Sequence, residues 1–135
     1  MDNLTKEQRR KNMQHIRSKD TLPERMVMQE LKRKKIYFAP YVSNIAGKPD
    51  ILFRRRKVAV FIDSDFWHGH PLRCIMPKSN RLYWEEKIAK NRARDRKVNR
   101  LLKQDGWKVI RIWEYDVKHN FKKSISRILK AINKI

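Results

Sequence analysis

The chain has 135 residues, enough for one domain with a modest core and too few for two. Lys and Arg number 35 against 14 Asp and Glu, a formal charge of +21 that selects a polyanionic partner, nucleic acid ahead of an anionic membrane. The lone Cys74 excludes an intramolecular disulfide framework, and no apolar run nears the ~20 residues of a membrane span, so no membrane partner is expected. The opening "MDNLTKEQRRKNMQ" lacks the apolar stretch of a secretion signal. A cytoplasmic protein of bacterial type, associated with the nucleoid when acting, is expected.

From Thr5 to about Ser18, Thr5 can cap a helix whose apolar positions are only Met13 and Ile16, with Arg9, Arg10, Lys11 and Arg17 over the rest. Residues 1–19 are accordingly expected to form a basic, poorly anchored helix that orders on its partner, beside a core at 20–135, the whole being one domain. "TLPERMVMQELKRKK" predicts a second helix, with Pro23 in its first turn, Met26, Val27 and Leu31 inward and a basic C-terminal end.

"IYFAPYV" alternates weakly, and "NIAGKPD" is turn chemistry. "ILF" and "VAVFI" flank Arg54, Arg55, Arg56 and Lys57, which reads as a hairpin with a charged tip. The second run is apolar on both faces and is expected at the centre of the sheet. A hairpin centred between Arg56 and Lys57 would set Asp50 opposite Asp63.

A long helix from about Asn80 to Gln104 carries a stripe at Trp84, Ile88, Asn91, Asp95, Val98 and Leu102. Asn91 and Asp95 interrupt that stripe, either as a buried pair satisfied by backbone or as a face turned to a polar site. After Gly106, "WKVIRIW" alternates as a further strand, and "FKKSISRILKAINKI" closes the chain with an amphipathic helix. The sum is an α/β domain around a mixed sheet.

Acids gathered at one end of that sheet in a strongly basic chain are either salt-bridge partners for arginine or a seat for a divalent cation that shields them from DNA phosphate. Glu24 can reach the same place from the preceding helix. Mg2+ takes oxygen ligands through one or two carboxylates, and His68, five residues past Asp63, is a candidate base for an attacking water. Phe66 and Trp67 sit in a Gly- and Pro-bounded loop, either packed or able to wedge between base pairs.

Three stretches, "GKPDILF", "VFIDSDFWHGHP" and "WEEKIAKNRARDRKVNRLLKQDGWKVIRIWE", with "RRKNMQHIRSKDTLPE" upstream, together resemble the very-short-patch repair (Vsr) DNA mismatch endonucleases over roughly Thr5 to Glu114. The resemblance implies a restriction-endonuclease-like core of the PD-(D/E)XK type, Mg2+, and nicking of one strand of double-stranded DNA beside a T·G mismatch left by deaminated 5-methylcytosine. By position it makes Asp50 the metal-binding aspartate, with the Ile62 carbonyl as a second ligand, and His68 the general base. It gives Glu24 and Asp63 supporting roles and turns Asn91 and Asp95 toward the site. Phe66, Trp67 and Trp84 match intercalating aromatics, and Met13 lies on the helix that grips DNA from the other groove.

Members with a structural zinc use cysteines and a histidine where this chain has Asp65, His70, Leu72 and Tyr115. His70 and the displaced Cys74 are too few for a tetrahedral site, so no structural Zn2+ is expected. A single-strand nick needs one active site, so a monomer is expected, with repair-pathway proteins as candidate partners. Two rivals remain: a restriction- or defence-associated nuclease of the same fold without mismatch preference, and a catalytically silent nucleic-acid-binding module.

Overall fold

The computed structural model describes residues 21–71 and 74–133. The expected basic helix, with Met13, Arg9, Arg10, Lys11 and Arg17, lies outside them, as does Leu72.

Helix α1 spans Leu22–Arg33. It starts where Thr21 and Glu24 form a capping box, the Thr21 N–H donating to Glu24 Oε2 at 2.9 Å, and Pro23 occupies a first-turn position that needs no N–H donor. Its inward face is Val27, Met28 and Leu31, so Met28 takes the buried place expected of Met26, which is only partly covered.

Four strands follow the order β1 (Ala39–Pro40), β2 (Ile51–Phe53), β3 (Val58–Asp63) and β4 (Lys108–Trp113). β1, β2 and β3 are antiparallel in turn, and β4 runs parallel to β3, giving the expected mixed sheet. The weakly alternating "IYFAPYV" is regular strand over two residues, and Tyr41 and Val42 go on to donate to Asp50 O and Pro49 O at 2.9 and 3.2 Å. A parallel neighbour requires a crossover, and the 24-residue helix α2 (Arg81–Gln104) supplies it. A Schellman closure ends that helix: Trp107 N–H reaches Leu102 O at 2.9 Å and Gly106 N–H reaches Lys103 O at 3.0 Å, with Gly106 at φ +84°.

The strand alternation divides the core. Val58 and Val60 of β3 join Ile51, Phe53 and Ile112 beneath α1 and α4 (Phe121–Ala131), where Ile125 and Ile128 are buried. Ala59 and Phe61 turn the other way, against Val98 and Leu102 of α2. β3 is therefore covered on both faces, and each fully buried aliphatic side chain there contributes about 1.5–3 kcal/mol relative to exposure. A short helix α3 (Glu114–His119), not anticipated in the sequence, follows β4 directly.

The hairpin register corrects the expectation for the two aspartates. A turn closed by Lys57 N–H to Arg54 O at 3.3 Å makes Phe53 oppose Val58 and Ile51 oppose Val60. Four turn residues centre the hairpin between Arg55 and Arg56, so Asp50 falls two positions short of Asp63 along β3. Its own N–H donates to Val60 O at 3.1 Å.

Candidate active site

The ends of β3 and β4 open into a cavity of about 250 Å³ lined by all six polar residues singled out in the sequence, Glu24, Asp50, Asp63, His68, Asn91 and Asp95. Asp50 is held just before β2, and its Oδ2 accepts the Ile62 N–H at 2.7 Å. N–H and C=O of one strand residue face the same neighbouring strand, so the Ile62 carbonyl is directed to the Asp50 side of β3. Burial, countered by that hydrogen bond and reinforced by the charges of Glu24 and Asp63, pushes the Asp50 carboxyl up to about 7.

Asp63, the last residue of β3, is 4% exposed. Burial raises its pKa while His68 and Arg111 pull it down. Asp95 projects from α2 to His68 Nδ1 at 2.5 Å, and Asp63 Oδ1 lies 3.7 Å from His68 Nε2. Burial works to lower the imidazole pKa, but the Asp95 hydrogen bond and both acidic charges outweigh it and hold His68 above its ordinary value. Asn91 donates to the Trp67 carbonyl at 3.0 Å and so fixes the loop that carries His68. The interrupted stripe of α2 is thus the helix face that lines the cavity.

The backbone brings that loop close to α2 at Gly69, where φ is +64° and an added Cβ would lie 2.6 Å from Ile88 Cγ2. Trp67, Trp84 and Ile88 form a buried cluster here, the two indoles edge to face at 5.9 Å, with Phe66 partly covered beside them. The rings expected at a DNA wedge are therefore packed on one another, and Phe66 is the most accessible of the three. Leu82 and Tyr83 stand exposed on the adjacent turn of α2.

Sequence reading missed Arg111 and Glu114, which also line the cavity. Burial raises the Glu114 pKa, and its Oε1 accepts the Asp65 N–H at 3.4 Å. An acid and a base at the end of the "WKVIRIWE" strand were the available signals, readable only once β4 is known to run parallel to β3.

Five acids, Glu24, Asp50, Asp63, Asp95 and Glu114, crowd this cavity in a chain of charge +21. An Asp50 carboxyl driven up by burial and by its acidic neighbours, beside the strand-end carbonyl of Ile62, is a donor set that fits a hard divalent cation completed by water and phosphate oxygens. Among the described residues no group of three or more His, Cys, Asp or Glu side chains converges as an all-protein metal cage. At the matched zinc positions, the His70 ring packs edge-on against Trp113 at 4.7 Å and Tyr115 stacks on His119 at 4.2 Å.

A mixed sheet covered by helices on both faces, with clustered acids and an imidazole in one cleft, is the architecture of a restriction-endonuclease-like hydrolase that cleaves DNA. A family model described as DNA mismatch endonuclease Vsr matches residues 1–74. The chain is 40% identical over 134 residues to the type II nicking enzyme V.NmeDIP of Neisseria meningitidis serogroup C, covering 98% of this chain and 90% of that protein. It is 41% identical over 135 residues to the type II nicking enzyme V.HpaIIP of Haemophilus parainfluenzae, covering 98% and 96%. The DNA mismatch endonuclease Vsr of Escherichia coli (strain K12) is 32% identical over 109 residues, covering 78% and 69%. The chain belongs to the Vsr family of DNA endonucleases. No helix among the described residues is long and apolar enough to cross a membrane.

Proposed function

We propose that this endonuclease is Mg2+-dependent and nicks one strand of double-stranded DNA beside a T·G mismatch, acting as a monomeric, single-domain cytoplasmic enzyme. The observation that carries the chemistry is His68 suspended between Asp95 and Asp63 in the cavity that also holds Asp50. A proton on Nδ1 satisfies Asp95 and leaves Nε2 with a lone pair directed into the cavity. Nε2 takes a proton from water as the water oxygen attacks phosphorus, and the phosphorus–oxygen bond to the leaving nucleotide breaks. Mg2+ held by Asp50 and the Ile62 carbonyl would neutralise the scissile phosphate and the leaving oxygen. Glu24 and Asp63 orient water and imidazole, Asn91 holds the His68 loop, and Arg94 at the mouth is an exposed cation for a neighbouring phosphate.

Mismatch preference rests on the aromatic cluster. Phe66, with Trp67 and Trp84 behind it, forms an apolar edge next to the cavity, and wedging such an edge into a duplex costs least where pairing is already weak. The relatives V.NmeDIP and V.HpaIIP, both type II nicking enzymes, favour a second reading: nicking in association with a restriction system.

Two end-labelled duplexes, one with a single T·G mismatch and one fully paired, incubated with Mg2+ or with EDTA, test both. A Mg2+-dependent nick confined to the T strand of the mismatched duplex is expected. Equal cutting of the two duplexes would remove mismatch recognition, and cutting in EDTA would remove the metal.

A further inference from the structure

Arg111 is a cation enclosed by the catalytic acids rather than offered to DNA. It projects from β4 with its side chain 18% exposed. Its Nη1 donates to Asp63 Oδ1 and Oδ2 at 3.0 and 3.2 Å and stands 3.6 Å from Asp95 Oδ1. Its Nε donates to Asn99 Oδ1 at 2.7 Å, and the guanidinium lies 4.2 Å from the centroid of the Phe61 ring. Nε and Nη1 are thus committed to neighbours on β3 and α2. The two acids bridged by Nη1 are the same two that flank the His68 ring. Carboxylates held that close repel one another, and with no cation between them they would move apart.

We propose that Arg111 is a positioning residue for DNA nicking. By tying Asp63 of β3 to Asp95 of α2 it holds the His68 ring with Nδ1 satisfied and Nε2 aimed into the cavity. This rests on His68 serving as the base in the reaction proposed above. The guanidinium also sets the charge balance around the ring. Asp95 from α2 and Asp63 from β3 favour the imidazolium, and Arg111 from β4 opposes it. Loss of the guanidinium therefore leaves an imidazole that is both less fixed and harder to deprotonate.

The test is single-turnover nicking, with Mg2+ and across pH 6 to 9, of whichever duplex the wild type cuts, by Arg111→Met, Arg111→Lys, Asp63→Asn and the Asp63→Asn/Arg111→Met double variant. Thermal melts check that each variant is folded. Arg111→Met should lower the rate at saturating enzyme roughly tenfold or more, leave the half-saturating concentration unchanged, and move the rise of rate with pH to higher pH. Arg111→Lys should recover most of the rate, and Arg111→Met should cost far less in the Asp63→Asn background, because the two side chains act as a unit.

A folded Arg111→Met enzyme with wild-type rate and pH profile would overturn the inference, as would a loss confined to half-saturation or one fully additive with Asp63→Asn. Should Arg111→Met fail to fold, Arg111→Gln takes its place, and an unmoved pH profile in that variant is equally fatal. A wild type that nicks neither duplex refutes the function proposed above instead.

Discussion

Replacing Asp50 by Asn removes a charge from a place where the fold holds it at a cost. A carboxyl at about 7 instead of 3.8 binds its proton more tightly in the folded chain than in the unfolded one. Its contribution therefore favours folding below pH ~4 and is lost as pH rises through about 7. At 1.36 kcal/mol per pH unit, that interval amounts to about 4 kcal/mol of destabilisation at pH 8 and under half of that at pH 5. Asn keeps the Ile62 N–H satisfied through its own Oδ1, so the substitution leaves no orphaned donor. In EDTA, Asp50→Asn should melt above the wild type at pH 8, by roughly 10 °C for a chain of this size, with a smaller gap at pH 5. Adding Mg2+ should raise the wild-type melting temperature at pH 8 and leave that of the variant unchanged, while nicking by the variant is abolished. Thermal melts across pH 5 to 9, with EDTA and with Mg2+, measure all of this. A variant no more stable than wild type at pH 8, or a gap that fails to narrow toward pH 5, would refute the account of Asp50 as a strained metal-binding carboxylate.

Gly69→Ala should destabilise the fold by about 2–5 kcal/mol, summing left-handed backbone strain and overpacking against Ile88. It should also slow nicking by displacing His68; an unchanged urea midpoint would mean that the loop relaxes freely. Asp95→Asn removes an acid that raises the His68 pKa, so the rise of nicking with pH should shift to lower pH while the plateau rate falls. A shift to higher pH would contradict that assignment. Trp67→Ala, which empties a site 5% exposed, should cost about 3–5 kcal/mol in urea unfolding, whereas Phe66→Ala should cost less and act on the ratio of T·G to T·A cleavage. An unaltered ratio in the Phe66 variant would return that ring to a packing role.

Much of the architecture was legible because its signals are local. Thr21, Pro23 and Glu24 write the start of α1, and Gly106 marks the end of α2. The stripe from Trp84 to Leu102 is apolar where α2 meets the aromatic loop and the sheet, and polar where it faces the cavity. What local pattern does not carry is register and partnership. The turn at Arg54 to Lys57 moved Asp50 two positions from its expected opposite, although Asp50 and Asp63 still reach one cavity. Arg111 reads simply as a polar position in an alternating strand until β4 docks beside β3 and delivers it to Asp63. Glu114 likewise gains its place only from the immediate passage of β4 into α3. The burial of Trp67 and Trp84 depends on a loop folding back on α2, a long-range contact that the adjacent aromatic pair does not announce.

The parallel join of β3 to β4 also orders events during synthesis. Asp50, Ile62 and Asp63 belong to a hairpin that can close as soon as its own residues leave the ribosome, whereas Arg111 follows only after all 24 residues of α2 have been made. A nascent chain halted before β4 has Asp63, His68 and Asp95 but lacks the guanidinium that pairs with both acids. The charge balance of the cavity is completed only when β4 docks beside β3.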